Sequence, residues 1–225
     1  MATVRLKHIT PLWVCSDAIR QCHATQAGTD YGGPVDCALI DRVGNKMKHA
    51  STLEHIIVQL DISDISRALL QEWSRHRIGM SQTVKSSRYT LKELKEEEPF
   101  TFYDVCRDNC TFEYLPTPDA FVRASKYVVY TGNDMVDEAI LFNLEELREL
   151  IAAGVSNDVA KYAMPDAYKT SLTCSINFRS LQNLLYLRSA PSALWEFREL
   201  AQAIFEAIPE EYQFLLKDSL YEMAS

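Results

Sequence analysis

Cationic and hydroxyl side chains are concentrated in a segment that contains no acidic residue. The segment lies between Glu72 and Glu93, and it carries Arg75-His76-Arg77, Ser81 and Ser86-Ser87-Arg88. Guanidinium groups bind phosphate oxygens bidentately, and serine hydroxyls can donate to the oxygens that remain. The dipole at a helix C-terminus also attracts cations, which would account for Arg75 and Arg77 but not for Arg88. The segment therefore predicts a site for a phosphate-bearing anion.

A second group of polar residues occurs later in the sequence and consists of Asn177, Arg179, Asn183 and Arg188. A four-residue spacing places Arg179 and Asn183 on one face of a helix, whereas Arg188 repeats with Leu184 on the apolar face. A cation on an apolar face is costly unless it is paired or bound to a ligand. Arg188 is therefore predicted either to bind a ligand or to form an internal salt bridge, with Glu54 or Glu196 as its partner.

The elements that must position these residues can be predicted from hydrophobic periodicity. Alternating apolar residues predict a strand over residues 55–62, and Asp64 is predicted to cap a helix that contains Trp73. That helix would deliver residues 75–77 at its C-terminal end and stop at Gly79. Residues 81–90 are predicted to form a loop or a short extended segment.

The second half of the sequence also mixes helices and strands. Helical periodicity covers residues 136–153 with Gly154 as a stop, and a short helix is predicted to begin at Asn157 or Asp158. Alternation of Leu172, Cys174, Ile176 and Phe178 predicts a second strand. Helices follow over residues 181–188 and after Pro191, where Ser192 is a candidate cap. The pattern indicates a mixed α+β fold, without a GxGxxG or Walker loop for nucleotide binding.

Composition narrows the class of protein. The 225 residues carry a net charge of −8, which disfavours a general nucleic-acid binder. No run of 18 apolar residues and no export signal occurs, so we expect a cytoplasmic protein with a single domain over residues 1–225. The six cysteines form no CxxC pair, and Cys106 and Cys110 lack a second pair of ligands. We therefore expect reduced thiols and no metal site.

Three stretches together resemble the flavin-dependent thymidylate synthases, the ThyX family. The family signature Arg-His-Arg, seven residues and Ser-x-Arg-Tyr appears here as residues 75–77 followed by residues 86–89, with a spacer that is one residue longer. The upstream His-x-Thr-Pro-x-Glu-His element corresponds to residues 49–55, whose His49 and His55 alone would not indicate catalysis. The downstream Asn-x-Arg-Ser-Leu-x-Asn-x-Leu-x-Leu-Arg element corresponds to residues 177–188. The resemblance covers residues 36–220 and implies an α/β fold, with a central sheet and flanking helices.

The resemblance also implies roles for individual residues. FAD would lie between the subunits of a homotetramer, and its contacts would be Ser51, Arg75, His76, Arg77, Asn177, Phe178, Arg179 and Asn183. The contacts of the substrate dUMP would be Glu72, Trp73, Ser74, Arg75, Ser86, Ser87, Arg88, Lys161 and Arg188. Arg88 suits the 5′-phosphate. Arg188 matches the family arginine that contacts the uracil ring, and it is the predicted catalytic residue.

The implied reaction is the reductive methylation of dUMP to dTMP. Methylenetetrahydrofolate would supply the carbon, and NADPH would reduce FAD, which then supplies the hydride. Three positions depart from the family, because Glu72 stands where Gln is common, Lys161 stands where Arg is common and Val84 stands where Glu is common. No cysteine lies in the three motifs, and Ser86 and Ser87 are expected to be ligand donors rather than nucleophiles. Three alternatives remain open: a flavin- or nucleotide-binding protein without methyl transfer, an NADPH-flavin reductase, and a cysteine-dependent thymidylate synthase.

Overall fold

A computed structural model describes residues 2–22, 28–106 and 111–221. Its contacts divide the chain into two compact units. Unit 1 consists of Met1–Ser63, Gln71–Thr83 and Ser171–Ser225, and unit 2 consists of Asp64–Leu70 and Val84–Thr170. The expectation of a single domain over residues 1–225 stays a prediction.

Within the described ranges the chain forms six strands and ten α-helices. The strands are β1 (Thr3–Ile9), β2 (Ile57–Ser66), β3 (Met80–Val84), β4 (Thr101–Cys106), β5 (Thr111–Pro116) and β6 (Lys169–Asn177). The helices are α1 (Leu12–Gln21), α2 (Pro34–Ile40), α3 (Arg67–Trp73), α4 (Ser87–Thr90), α5 (Ala120–Ala124), α6 (Asp134–Ala152), α7 (Asn157–Ala160), α8 (Phe178–Arg188), α9 (Trp195–Ala207) and α10 (Glu210–Gln213). The prediction of a mixed α/β fold is confirmed.

A four-stranded sheet in the order β1-β2-β6-β3 supports the first unit. β1 pairs antiparallel with β2, and Leu6 lies opposite Leu60. Alternate residues of β2 and β6 point to opposite faces, so Val58 and Ile176 are buried on one face. On the polar face, the Thr173 hydroxyl donates a hydrogen bond to the Asp61 carboxylate at 2.6 Å. α9 packs against β1 and α8. Both strands were predicted from their alternation, although Phe178 begins α8 rather than ending β6.

The start of α3 differs from the prediction. Asp64 has φ +61° and remains in β2, and the helix begins three residues later. The hydroxyl of Ser66 accepts a hydrogen bond from the backbone N–H of Leu69 at 2.9 Å, so Ser66 does the capping that was expected of Asp64. The helix ends at Trp73, before residues 75–77, and Gly79 lies well beyond its end.

Three other boundaries refine the predictions. Residues 80–84 form β3, which confirms an extended segment, whereas Ser87–Thr90 form the helical turn α4. α9 begins after Leu194 rather than at Ser192. α6 and α7 begin at Asp134 and Asn157, and Gly154, at φ +88°, follows α6 as predicted.

Helix α6 forms the centre of the second unit. Asn133 caps it by accepting from the N–H of Val136 at 3.2 Å, and its apolar face packs into a buried cluster with residues such as Phe100. The buried Glu145 is satisfied by the N–H of Phe100 at 2.8 Å and by Arg148 at 2.6 Å. β4 and β5 pair antiparallel as a separate two-stranded sheet.

Two further features concern the described residues only. None of their helices is long and apolar enough to cross a membrane, and they contain no cluster of metal-binding side chains. Cys15, Cys22, Cys37 and Cys174 are free thiols. Cys110 and the side chain of Cys106 lie outside the described part of the chain.

Candidate active site

A cleft of about 790 Å³ lies within the first unit and is rich in cations. Four arginines, one histidine and one glutamate line it together with amide, hydroxyl and apolar residues. The lining residues are Glu54, Arg75, His76, Arg77, Ile78, Gly79, Met80, Ile176, Asn177, Arg179, Ser180, Asn183, Leu187 and Arg188. Four guanidinium groups against one carboxylate give the cleft a positive charge in an acidic protein. The cleft can therefore hold a phosphate-bearing anion against an apolar wall.

One wall of the cleft is formed where the chain enters β3 and leaves β6. The carbonyl of Gly79 accepts the N–H of Asn177 at 2.9 Å, and the Asn177 side chain caps α8 by accepting the N–H of Ser180 at 2.9 Å. Gly79 has φ +66°, and a Cβ there would collide with the side chains of Asn177 and Ser180. A glycine is therefore required for this close approach.

Arg188 is held from several directions. Its Nε donates to His76 Nε2 at 2.8 Å, one terminal nitrogen donates to Glu72 Oε2 at 2.7 Å, and the other donates to the Glu72 carbonyl at 3.0 Å. The guanidinium also lies 4.9 Å from the ring centre of Phe197. These bonds use three of its five N–H groups, so two remain for a ligand.

His76 is kept neutral by its surroundings. Burial, together with the charges of Arg188 and Arg75, lowers the pKa of His76 from 6.5 to about 4. Because Nε2 accepts a hydrogen bond from Arg188, the neutral ring carries its proton on Nδ1. The ring meets Phe197 edge-on at 6.1 Å. His76 therefore acts as an acceptor for Arg188 at neutral pH.

The structure identifies the salt-bridge partners that the sequence left open. Glu72 pairs with Arg188 and, at 3.2 Å, with Arg75. Glu54 instead pairs with Arg179 at 2.6 Å. The bond to Arg188 holds the pKa of Glu72 below its ordinary value, so the carboxylate is charged at neutral pH.

Most of the predicted flavin residues lie together in the cleft. Arg75, His76, Arg77, Asn177, Arg179 and Asn183 all line it. Ser51 is exposed in a 3-10 turn over Ala50–His55. The Phe178 ring is fully buried and lies 6.0 Å from the ring of Tyr212, because it continues the inward alternation of β6. Ser51 and Phe178 are not among the described residues that line the cleft.

The predicted substrate residues fall in both units. In unit 1, Arg75 and Arg188 line the cleft, and Ser74 donates to the carbonyl of Gln71 at 2.8 Å. The Trp73 ring is fully buried and stacks on Phe197 at 5.8 Å, so it packs in the core beneath Arg188.

The remaining predicted substrate residues belong to unit 2. Ser86 precedes α4, Ser87 and Arg88 lie in it, and Lys161 follows α7. α4 and α7 pack together, and the Asn157 side chain donates to the Arg88 carbonyl at 2.8 Å.

Two site features were missed at the sequence level. Phe197 supports Trp73, His76 and Arg188 at once, but its apolar spacing in α9 is that of any core residue. Gly79 was interpreted as a helix stop, whereas it permits close contact with Asn177. Its position two residues after the Arg-His-Arg run was the only signal available.

The donor set fits a cofactor that carries a diphosphate. Arg75, Arg77 and Arg179 can bind phosphate oxygens, Asn183 can bond to ring heteroatoms, and Leu187 adds apolar surface for a ring. The fold and this cleft together define a class of α/β proteins that bind a phosphate-bearing cofactor.

Comparisons with known proteins specify the family. Residues 6–212 match the family described as "Thymidylate synthase complementing protein". The chain is 50% identical over 213 residues to a flavin-dependent thymidylate synthase of Wolinella succinogenes, with 95% of this chain and 96% of that protein covered. It is 48% identical over 216 residues to one of Helicobacter pylori, covering 95% and 97% of the two chains.

Solved structures agree with these relatives. A crystal structure of thymidylate synthase X (ThyX) from Helicobacter pylori with FAD and dUMP superimposes with a TM-score of 0.88 at 46% identity, covering 99% of this chain and all of that one. The chain belongs to the flavin-dependent thymidylate synthase family.

Proposed function

We propose that this protein is an FAD-dependent thymidylate synthase, which converts dUMP to dTMP with methylenetetrahydrofolate and NADPH. The observation that carries the proposal is an arginine-lined cleft in which Arg188 is fixed by three hydrogen bonds and keeps two donors for a substrate. Relatives at about half identity over nearly the whole chain bear the same activity in their names. FAD, when bound, would accept hydride from NADPH and supply it to the transferred carbon.

The flavin contacts are proposed from the cleft and the family correspondence. Arg75, His76, Arg77, Asn177, Arg179 and Asn183 line one continuous surface. Ser51 and Phe178 follow from the correspondence alone, and Phe178 could contribute only backbone contacts because its ring is buried.

Proposed contacts for dUMP, taken from the family correspondence, are Glu72, Trp73, Ser74, Arg75, Ser86, Ser87, Arg88, Lys161 and Arg188. Arg188 would act on the uracil ring. Its guanidinium is fixed before the ligand arrives, so it can stabilise charge that develops on the ring oxygens without reorganising. Buried Trp73 would support this site from beneath rather than touch the substrate with its ring.

The assembly and location of the protein are also proposed. We propose a homotetramer in which FAD lies between subunits, because the family correspondence assigns its contacts to several chains. A cytoplasmic location is consistent with the free thiols of Cys22 and Cys37, which a reducing compartment preserves.

The visible spectrum of the purified protein, followed by NADPH oxidation with and without dUMP and methylenetetrahydrofolate, tests the function. We expect a flavin spectrum and oxidation that depends on dUMP, with dTMP as product. Oxidation that ignores dUMP would support an NADPH-flavin reductase, and bound flavin without dTMP would support a binding protein. Loss of activity on thiol alkylation, together with indifference to FAD, would support the cysteine-dependent enzyme.

The flavin contacts can be tested separately. Replacing Arg179 by alanine removes a cation from the cleft and should weaken FAD binding about 10-fold or more. Arg198→Ala is the matched control, because Arg198 is an exposed arginine in α9 that donates to the Pro191 carbonyl at 2.6 Å. Equal FAD affinity of the two variants in a fluorescence titration would contradict the assignment.

A further inference from the structure

Arg188 depends on a carboxylate that comes from a distant part of the sequence. Glu72 lies near the end of α3, and Arg188 is the last residue of α8. The bond between Glu72 Oε2 and the Arg188 terminal nitrogen, at 2.7 Å, is the shortest of the three that hold the guanidinium. Charge-assisted bonds of this length are about twice as strong as neutral ones.

This pair differs from an ordinary surface salt bridge. Only 13% of the Arg188 side chain and 32% of the Glu72 side chain are exposed, and the guanidinium lies over the Phe197 ring. Trp73, the next residue of the same helix, stacks on the Phe197 ring and is fully buried. The helix that carries Glu72 is therefore anchored in the core, so the carboxylate has a fixed position.

The three acceptors constrain the guanidinium in different ways. His76 Nε2 and the Glu72 carbonyl hold Nε and one terminal nitrogen. Among the described contacts, the Glu72 carboxylate is the acceptor that holds the other terminal nitrogen of Arg188, a residue that lines the cleft. Without that acceptor, the guanidinium could rotate toward solvent or toward a different anion.

We propose that Glu72 is a positioning residue, whose carboxylate holds Arg188 in the orientation that acts on the substrate ring. The inference rests on the proposed function and assigns the Glu72 carboxylate a role through Arg188, in addition to its place among the proposed dUMP contacts. The Glu72 carboxylate is bonded to Arg188 and Arg75, so its charge is balanced by two of the cations that line the cleft. Glutamine also has a side-chain oxygen, which could accept the same bond.

Glu72→Ala tests the proposal in the FAD-loaded enzyme. We expect kcat to fall about 10-fold or more, because small displacements of a catalytic group are costly, while KM for dUMP changes less than about threefold. Glu72→Gln should recover kcat to within about threefold of the unmodified protein, since its side-chain oxygen can accept from Arg188. Calorimetric titration with dUMP gives the binding affinity independently of turnover.

Asp41→Ala is the matched control. Asp41 forms a 2.7 Å ion pair with Lys46 in a π-helical turn, and neither residue lines the cleft. The Asp41→Ala variant should leave kcat unchanged.

If Glu72→Ala does not fold, Glu72→Asp replaces it, because aspartate keeps the charge but retracts the carboxylate by roughly one C–C bond of about 1.5 Å. That variant should also lower kcat.

Several results would overturn the inference. They are equal kcat for the Glu72 and Asp41 variants, a glutamine variant as impaired as the alanine variant, or tighter dUMP binding with higher kcat once the acid is removed. The last result would identify Glu72 as a counter-ion that competes with the substrate. If the unmodified protein forms no dTMP, the proposed function fails instead, so the two failures are distinguishable.

Discussion

Arg188 and His76 form a pair in which one residue must be charged and the other neutral. Arginine remains protonated at all ordinary pH values, and His76 accepts its Nε–H. Protonation of His76 would turn the acceptor into a donor and place a second cation beside the guanidinium. The pair is therefore sensitive to acid even though only the histidine titrates.

The pKa of His76 predicts how stability depends on pH. It is about 4 in the folded protein, against an ordinary value of 6.5, so between these pH values the unfolded chain holds a proton that the folded protein does not. The His76 contribution is fully present above pH 6.5, is lost as pH falls through this window, and is gone below pH 4. Denaturant unfolding of His76→Gln should show a shallower fall in the free energy of unfolding over this window. The matched control His8→Gln, at an exposed position in β1, should follow the unmodified protein. Parallel curves for all three proteins would contradict the role of His76.

Substitution of Gly79 should change stability through steric crowding and backbone conformation rather than through protonation. Gly79→Ala should lower the free energy of unfolding by about 1–3 kcal/mol, because the new Cβ must displace the Asn177 and Ser180 side chains at a position of positive φ. FAD affinity should fall as well, since Asn177 and Ser180 line the cleft.

Gly154→Ala separates the two causes. Gly154 also has positive φ, at +88°, but a Cβ there meets nothing within 4 Å. Gly154→Ala should therefore lower the free energy of unfolding by only about 1 kcal/mol, the cost of positive φ for a residue with a Cβ, and leave FAD affinity unchanged. Equal losses of stability in urea unfolding would show that the contact with Asn177 is unimportant.

For single residues, the sequence predicted several side chains that the structure brings together in one cleft, but not how they are held. Six of the residues that the family resemblance implied, within 75–77 and 177–183, line the cleft. The partner of Arg188 was expected to be Glu54 or Glu196, whereas Glu72 provides it. Pairing between side chains that are far apart in sequence depends on how α3 and α8 pack, and periodicity carries no information about that.

At the level of elements, strands were predicted more accurately than helix starts. β2 and β6 are buried on one face, so their alternation is a strong signal. The start of α3 was placed at Asp64 because aspartate is a common cap, yet Ser66 provides the cap after the strand continues past Asp64. A strand that runs directly into a helix gives no turn signal to mark the boundary.

The cap of α3 can be tested by substitution. Ser66→Ala should lower the free energy of unfolding by about 1 kcal/mol, because the buried N–H of Leu69 loses its acceptor. Asp64→Asn is the matched change at the position first predicted. Asparagine also tolerates φ +61°, and the change removes the charge from a 3.5 Å ion pair with Lys169, so the free energy of unfolding should change by no more than about 0.5 kcal/mol. Urea unfolding that ranks Asp64→Asn as the more damaging change would contradict the assignment.

For the whole molecule, composition predicted an acidic protein and hydrophobic periodicity predicted a mixed α/β fold. Four arginines line the cleft where an anion would bind. The division into two compact units was not predicted, because segments from both halves of the sequence contribute to each unit. Assembly with other subunits leaves no periodic signal in one chain, so the tetramer follows only from the family.

FAD binding should stabilise the whole assembly. FAD that binds only the folded protein, at a free concentration about 100 times its Kd, should raise the free energy of unfolding by about 2.7 kcal/mol. This corresponds to a rise in Tm of roughly 5–10 °C for a chain of this size. Light scattering should give about four times the chain mass of 25.7 kDa. A monomer mass, or a Tm that does not respond to FAD, would contradict the proposed assembly and cofactor.

We propose that the arginine-lined cleft and its fixed Arg188 support the methylation of dUMP. The most direct measurement is dTMP formed from dUMP by the FAD-loaded protein with NADPH and methylenetetrahydrofolate, compared with Arg188→Lys. We predict dTMP formation by the unmodified protein and a loss of about 100-fold in kcat for the variant, because lysine keeps the charge but lacks the planar donors held by Glu72 and His76. Absence of dTMP from the FAD-loaded protein, or equal rates for the two proteins, would contradict the account.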